Sequence, residues 1–243
     1  MKAWERQKEL QKRYVQVPNI AELDIIIGRI KVGKINIDQQ TKRARALFAL
    51  YYLTACRASE ILKTTRLKKQ RMKKDIIFEE DGTKKVVYAV DKNKEPVIER
   101  WFEEHSFLGT RSCDLRMIEH TNHNFLEIRT ENRKNKNKKT KLLPIPIDKE
   151  IVILKYLNDY LSSLQPEELL FKFTPVRARQ IINKSTGMNI HFIRHIRATH
   201  LITLYSFNEQ MLIKFMGWSD SRPAKSYMQL SSEDLAREFY KNG

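Results

Sequence analysis

HFIRHIRATHLI at residues 191–202 and MGWSDSRPAKSYMQL at 216–230 decide the reading of this chain. His191 and Arg194 are three apart, so a helix there presents both side chains on one face. A guanidinium fork and a neutral imidazole are good donors to the non-bridging oxygens of a phosphodiester under attack. Trp218 offers an indole N–H, and nine residues later Tyr227 offers a phenol that can act as a nucleophile. The set suits attack of a tyrosine on a DNA phosphate.

Charge points the same way. The 243 residues carry 46 Lys and Arg against 29 Asp and Glu, a net charge of +17, and such an excess fits a polyanionic partner. Seven glycines fall well below the usual share of about 7%, which favours helices over turn-rich β structure. Cys56 and Cys113 give no disulfide framework and fit a reducing compartment. The charged opening MKAWERQKELQKRY lacks the apolar core of a signal peptide, and no membrane span is expected. A soluble, cytoplasmic protein is the expectation.

Outward from the two stretches, periodicity predicts helices at 3–14, 21–30, 38–56, from 58 onward, 148–163, 175–185, 191–205, 208–216, 223–230 and 232–240. DIIFEEDGTKKVVYAV, from residue 75, holds two β-rich runs around Asp81-Gly82, a hairpin signal. EPVIERWFEEHSF, from residue 95, reads as a short helix. NFLEIRT and KLLPIPI form a second strand pair across the basic loop ENRKNKNKKT. The fold class is mainly α with a small antiparallel β-sheet (α+β).

Displacement at phosphorus without a metal needs a second charge clamp and a proton donor for the departing oxygen. ACRASEIL offers Arg57, with Glu60 one turn later to orient it, and the basic loop offers lysines, which titrate where arginine does not. His195 and His200 are expected to serve packing. His120 and His123 with Cys113 lack a fourth ligand for zinc, and the acidic residues Asp75, Glu79 and Glu80 beside a turn are expected to face solvent, so no metal or cofactor is assigned.

Taken together, Arg57-Ala-Ser-Glu60 after an apolar helix, KNKKTKLLPI at 136–145, His191-Phe-Ile-Arg194-His195, Gly217-Trp218 and Tyr227 resemble the tyrosine recombinases of the phage-integrase and Xer type, over roughly residues 16–240. The resemblance implies a tyrosine recombinase catalytic-domain fold at 16–243, preceded by a short helical extension at 1–15. It implies that Tyr227 forms a 3′-phosphotyrosine link without metal or ATP. Arg57, His191, Arg194 and Trp218 would stabilise the pentacoordinate phosphorus, and Lys136 would protonate the 5′ oxygen. An insertion at about 66–110 separates Arg57 from Lys136, and Lys84 and Lys85 beside the first hairpin turn are alternatives for that role. Lys134, Lys138, Arg177 and Arg179 would bind DNA. The implied partner is double-stranded DNA at a specific site, bound by a homo-tetramer, with the integrase of a virus or other mobile element as the setting. A non-catalytic DNA-binding protein of the same descent and a metal-dependent nuclease are the rival readings.

Overall fold

The computed structural model describes residues 17–33, 37–63, 71–72, 74–95, 97–100, 109–132 and 139–228. The N-terminal extension, the helix at 232–240 and the loop lysines Lys134, Lys136 and Lys138 lie outside the described residues. The chain divides into two compact units, Met1–Lys63 with Gly109–Gly243, and Thr64–Leu108.

In the larger unit helix α1 (Ile20–Gly28) starts on a capping box. The Asn19 side chain accepts from the Glu22 N–H at 2.9 Å, and the Glu22 carboxylate accepts from the Asn19 N–H at 2.8 Å. Helix α2 (Ile37–Thr54) is the centre of the core. Ala46 to Thr54 are buried without interruption, as expected of a helix surrounded by others rather than of one with a single apolar stripe. It packs against α4 (Ile147–Leu161) and α6 (Ile190–Thr203). The short helix α3 (Ala58–Ile61) follows α2 after a three-residue turn. Helix α5 (Pro175–Thr186) has Thr174 as its cap and Pro175 at its first position. Helices α7 (Glu209–Met216) and α8 (Arg222–Met228) complete the described chain. The helix boundaries read from periodicity lie within one or two residues of these, with 204–205 and 162–163 left outside.

The Thr64–Leu108 unit holds two antiparallel pairs. Strand β1 (Arg71–Met72) pairs with β4 (Ile98–Arg100), and β2 (Lys74–Phe78) pairs with β3 (Lys84–Tyr88). The β2–β3 hairpin turns at Asp81-Gly82, where Gly82 has φ 78° and the Asp81 carboxylate accepts from the Thr83 N–H at 2.9 Å. Lys84 lies over the Phe78 ring and Lys85 pairs with Glu79. The helix expected from residue 95 is corrected at Ile98–Arg100, and its remainder from 101 on lies outside the described residues. Ile98–Arg100 is strand, with Val97 bonded back to Ala89, so β pairing overrides a weak helical pattern there.

In the larger unit a three-stranded sheet runs in the order β5 (Leu115–His120), β6 (His123–Asn132), β7 (Lys139–Pro146). Leu126, Ile128, Leu143 and Ile145 are buried on its inner face, and Thr130, also buried, pairs with Lys141 two residues further out. The sequence reading missed β5. Its strand is largely exposed, and its turn is built from Thr121 and Asn122 at φ 49° and 60° rather than from a glycine.

Beneath α6, Arg197 ion-pairs with Glu150, and the Glu150 carboxylate also accepts from the Tyr205 hydroxyl at 2.6 Å. Both charges are buried, the condition under which removing one partner costs far more than the pair contributes. One turn on, His200 bonds through Nδ1 to the Tyr52 hydroxyl at 2.8 Å and through its ring to the Pro18 carbonyl. His200 is therefore a core histidine, as its position on the apolar stripe suggests.

Burial, helped by the Arg197 charge, pushes the His200 imidazole down from 6.5 to about 4. The unfolded chain binds that proton more readily than the folded one, so stability is full above pH 6.5 and falls as pH drops toward 4. The loss should approach about 3 kcal/mol. Urea unfolding across this range, compared with His200→Gln, checks it: the variant should lose this part of the acid slope, leaving any contributed by His191 and His195.

Candidate active site

Arg57, Arg194 and Trp218, distant in sequence, meet because each follows or lies beneath a helix C-terminus. Helix α2 ends at Thr54, and Ala55 takes φ 49°, a left-handed conformation that turns the chain sharply. Two residues later Arg57 begins α3. Its backbone N–H and its Nη1 both donate to the buried Glu60 carboxylate, at 2.8 and 2.9 Å. The guanidinium is thus oriented while its side chain stays 28% exposed. This is the pairing expected from Arg-x-x-Glu.

Arg194 projects from α6 and is buried. Its Nη1 donates to the Ala55 carbonyl and its Nη2 to the Met216 carbonyl at 2.7 Å. Those carbonyls cap α2 and α7, so the cation lies at two helix C-termini, where partial negative charge collects. A guanidinium has five N–H donors, so capacity for an incoming anion remains. Its carbon also lies 5.9 Å from the Trp218 ring.

Helix α7 stops at Gly217, φ 65° and ψ 37°, with the N–H groups of Gly217 and Trp218 returning to Lys214 and Ile213. This left-handed cap turns Trp218 back into the site. There its ring stacks on Tyr227 of α8, centroids 5.6 Å apart and planes 22° apart. The Tyr227 hydroxyl is hydrogen-bonded to Nδ1 of His195, with ring centroids 5.1 Å apart. His195, expected to serve packing, does lie against this ring, and its hydrogen bond to the phenol is a contact that expectation did not include. The contact depends on where α8 lies, which no spacing within α6 encodes.

His191, one turn before His195, is exposed at the start of α6. Partial burial and the charges of Arg194, Arg57 and Arg179 hold its imidazole below its usual range, so it is neutral at pH 7.

The sequence reading also missed Lys141. This residue lies on β7, paired with Thr130, whose hydroxyl meets the Cys56 thiol at 3.6 Å. Its ammonium is 5.4 Å from the Phe215 ring centroid. Burial lowers its pKa, with Arg194 and Arg57 acting the same way and Cys56 and Glu60 opposing. The lysine is therefore a member of the arginine cluster. Its alternation with inward Leu143 and Ile145 was the available signal, since strand residues two apart share a face. Burial likewise keeps the Cys56 thiol protonated, so it brings no negative charge. Arg177 and Arg179 are exposed on α5, and Arg179 is close enough to act on His191. Among the described residues, no group of three or more His, Cys, Asp or Glu could hold a metal ion, and no helix is long and apolar enough to cross a membrane.

No protein-family model matches the chain, and no curated protein matches it. Among solved structures it is similar to the XerH site-specific recombinase bound to difH substrate in a pre-cleavage complex, with TM-score 0.48 and 16% identity over 90% of this chain and 51% of that one. It is also similar to XerH bound to palindromic difH substrate after cleavage, with TM-score 0.47 and 13% identity over 92% of this chain and 53% of that one. For the XerA recombinase the values are 0.37 and 16%, over 54% and 52%. The chain spans about half the length of these structures.

The Gly217 cap sets where Trp218 falls. Gly217→Ala should lose about 1–2 kcal/mol in urea unfolding, the usual cost of a left-handed residue bearing a Cβ. Gly217→Asn should lose less, because asparagine tolerates that conformation.

Proposed function

We propose that the protein is a site-specific DNA recombinase, which cleaves and rejoins strands through a tyrosine–phosphate intermediate. The observation that carries this reading is the cluster of Arg57, Lys141, His191 and Arg194, with Trp218 and Tyr227 beside Arg194. Cations predominate in this cluster, and the buried Glu60 carboxylate is bonded to Arg57. Such a cation-rich pocket suits the added negative charge of pentacoordinate phosphorus.

Tyr227 attacks the scissile phosphate and forms a 3′-phosphotyrosine, and the 5′ oxygen leaves with its electron pair. Arg57 and Arg194 clamp the non-bridging oxygens, with His191 and Trp218 as further donors. A lysine protonates the leaving oxygen. Lys136 is the residue the sequence pattern offers, and Lys141 is the described lysine within the cluster. The covalent intermediate keeps the phosphodiester bond energy, so a second 5′-hydroxyl reverses the step without ATP. The protein's own cations supply the charge stabilisation, and no metal is required. The partner is double-stranded DNA, bound by several copies of the chain, and integration of a mobile element in a prokaryotic or host cytoplasm is the setting.

Nicked duplexes, selected from a randomised pool by covalent capture, should form a denaturation-resistant adduct that EDTA does not suppress. Tyr227→Phe should form none; an adduct in that variant, or no adduct with the unmodified chain, overturns the reading. Loss of the proton-donating lysine should slow cleavage by about 10²–10⁴-fold. A 5′-bridging phosphorothioate, whose thiolate leaves without a proton, should restore the rate. Applied to Lys136→Ala and Lys141→Ala, this assay assigns the donor.

Arg177 and Arg179 contribute to holding DNA. Reversing both to glutamate should weaken binding across sequences and flatten the salt dependence, each neutralised phosphate contact adding about 0.9 to the slope of log K against log salt. Binding isotherms at several salt concentrations measure it.

A further inference from the structure

The Tyr227 hydroxyl has a hydrogen-bonded partner of its own, and that partner is a base. We propose that His195 takes the phenol proton of Tyr227 as its oxygen attacks phosphorus, and returns it when the tyrosine is displaced. This rests on Tyr227 being the nucleophile and names the proton acceptor for that step.

The contact places the phenol oxygen directly against a ring nitrogen able to take its proton. The phenol oxygen and Nδ1 of His195 share one hydrogen bond, and with the neutral imidazole as its Nε2–H tautomer the phenol O–H donates to the Nδ1 lone pair. A general base must be neutral and within reach of the proton; burial favours the neutral ring, and Nδ1 is in direct contact with the phenol oxygen. The titratable and charged groups facing it are His191 and Arg194 on its own helix and the Tyr227 phenol from α8. Burial and those two neighbours favour the neutral ring in the free protein. A bound phosphate would bring negative charge to the cations on this side and raise the basicity of His195 at the moment it is needed.

His191 is separated from this task by position. It is exposed on the first turn of α6, open to a phosphate oxygen, whereas His195 is half-buried one turn further in, against the phenol. The two imidazoles thus divide the work, His191 as donor to the phosphate and His195 as acceptor from the tyrosine.

In the step, a bond forms between Tyr227 Oη and phosphorus and the bond from phosphorus to O5′ breaks. The phenol proton passes to Nδ1 of His195, and O5′ takes a proton from the lysine. In religation an incoming 5′-hydroxyl attacks phosphorus, the lysine receives that proton, and Tyr227 Oη leaves and recovers its own from His195. Protons and electron pairs balance over the cycle.

His195→Asn is the informative change, because its amide oxygen can accept the same hydrogen bond but cannot take the proton. With the captured duplexes, His195→Asn should bind DNA as the unmodified chain does and form adduct about 100-fold more slowly. Placing 3,5-difluorotyrosine at position 227, whose phenol is more acidic, should recover about tenfold of that loss while changing the unmodified chain little. A purely structural histidine would show no such rescue. His195→Gln, followed by circular dichroism, serves in its place should the asparagine variant fail to fold. Unchanged adduct formation in the folded variant, or a slow rate that difluorotyrosine does not improve, overturns the role of His195 while the recombinase reading stands. Absence of adduct with the unmodified chain, or its persistence in Tyr227→Phe, instead removes the recombinase reading itself.

Discussion

The buried guanidinium of Arg194 is the constraint around which the larger unit is arranged. A cation out of water must find compensating partners or cost several kcal/mol. Arg194 finds them in the carbonyls of Ala55 and Met216, which close α2 and α7. Helix C-termini leave such carbonyls without intrahelical partners, so one side chain satisfies acceptors at two ends and gains from both macrodipoles. The residues that follow these carbonyls are Cys56-Arg57 and Gly217-Trp218. Solving the burial problem of one charge therefore delivers a second arginine and the tryptophan to the same place.

The cluster so assembled is electrostatically unbalanced. Arg57, Lys141 and Arg194 are cations, Glu60 is the buried carboxylate bonded to Arg57, and His191, His195 and Cys56 are held in forms that add no negative charge. Burial foremost, and then the repulsion of neighbouring cations, lowers the proton affinity of Lys141 and of both imidazoles. The repulsion works against the folded state and is relieved when an anion enters. In the reaction we propose, donors already fixed in place would need no reorganisation when charge develops at phosphorus.

Much of this was legible in the sequence where it depends on local pattern. The helices follow from apolar spacing, the Glu60 contact from its place one turn after Arg57, and the β6–β7 pair from alternation around a basic loop. What escaped depends on neighbours far along the chain. Strand β5 is an exposed edge with little apolar alternation, and Ile98–Arg100 became strand through pairing with Arg71–Met72. Lys141 was readable as an inward position of β7, but the motif drew attention to Lys136, which lies outside the described residues. His195 could not be assigned from α6 alone, because its partner comes from α8.

Helix α6 carries the same chemical pair twice, a tyrosine hydroxyl on Nδ1 of a histidine, and the surroundings make the two copies different. The Tyr52–His200 pair is buried in the core. Burial raises the phenol of Tyr52 and depresses the imidazole, so both separate charges are penalised and the proton stays on oxygen. The Tyr227–His195 pair is only half-buried, at the edge of the cationic cluster and under the Trp218 ring. There, in the proposed step, a developing phenolate would face Arg194 and an imidazolium would face the charge of a bound phosphate. Five residues along one helix separate a hydrogen bond that fixes the core from the one through which we propose a proton moves, and what distinguishes them is the charge within reach of each.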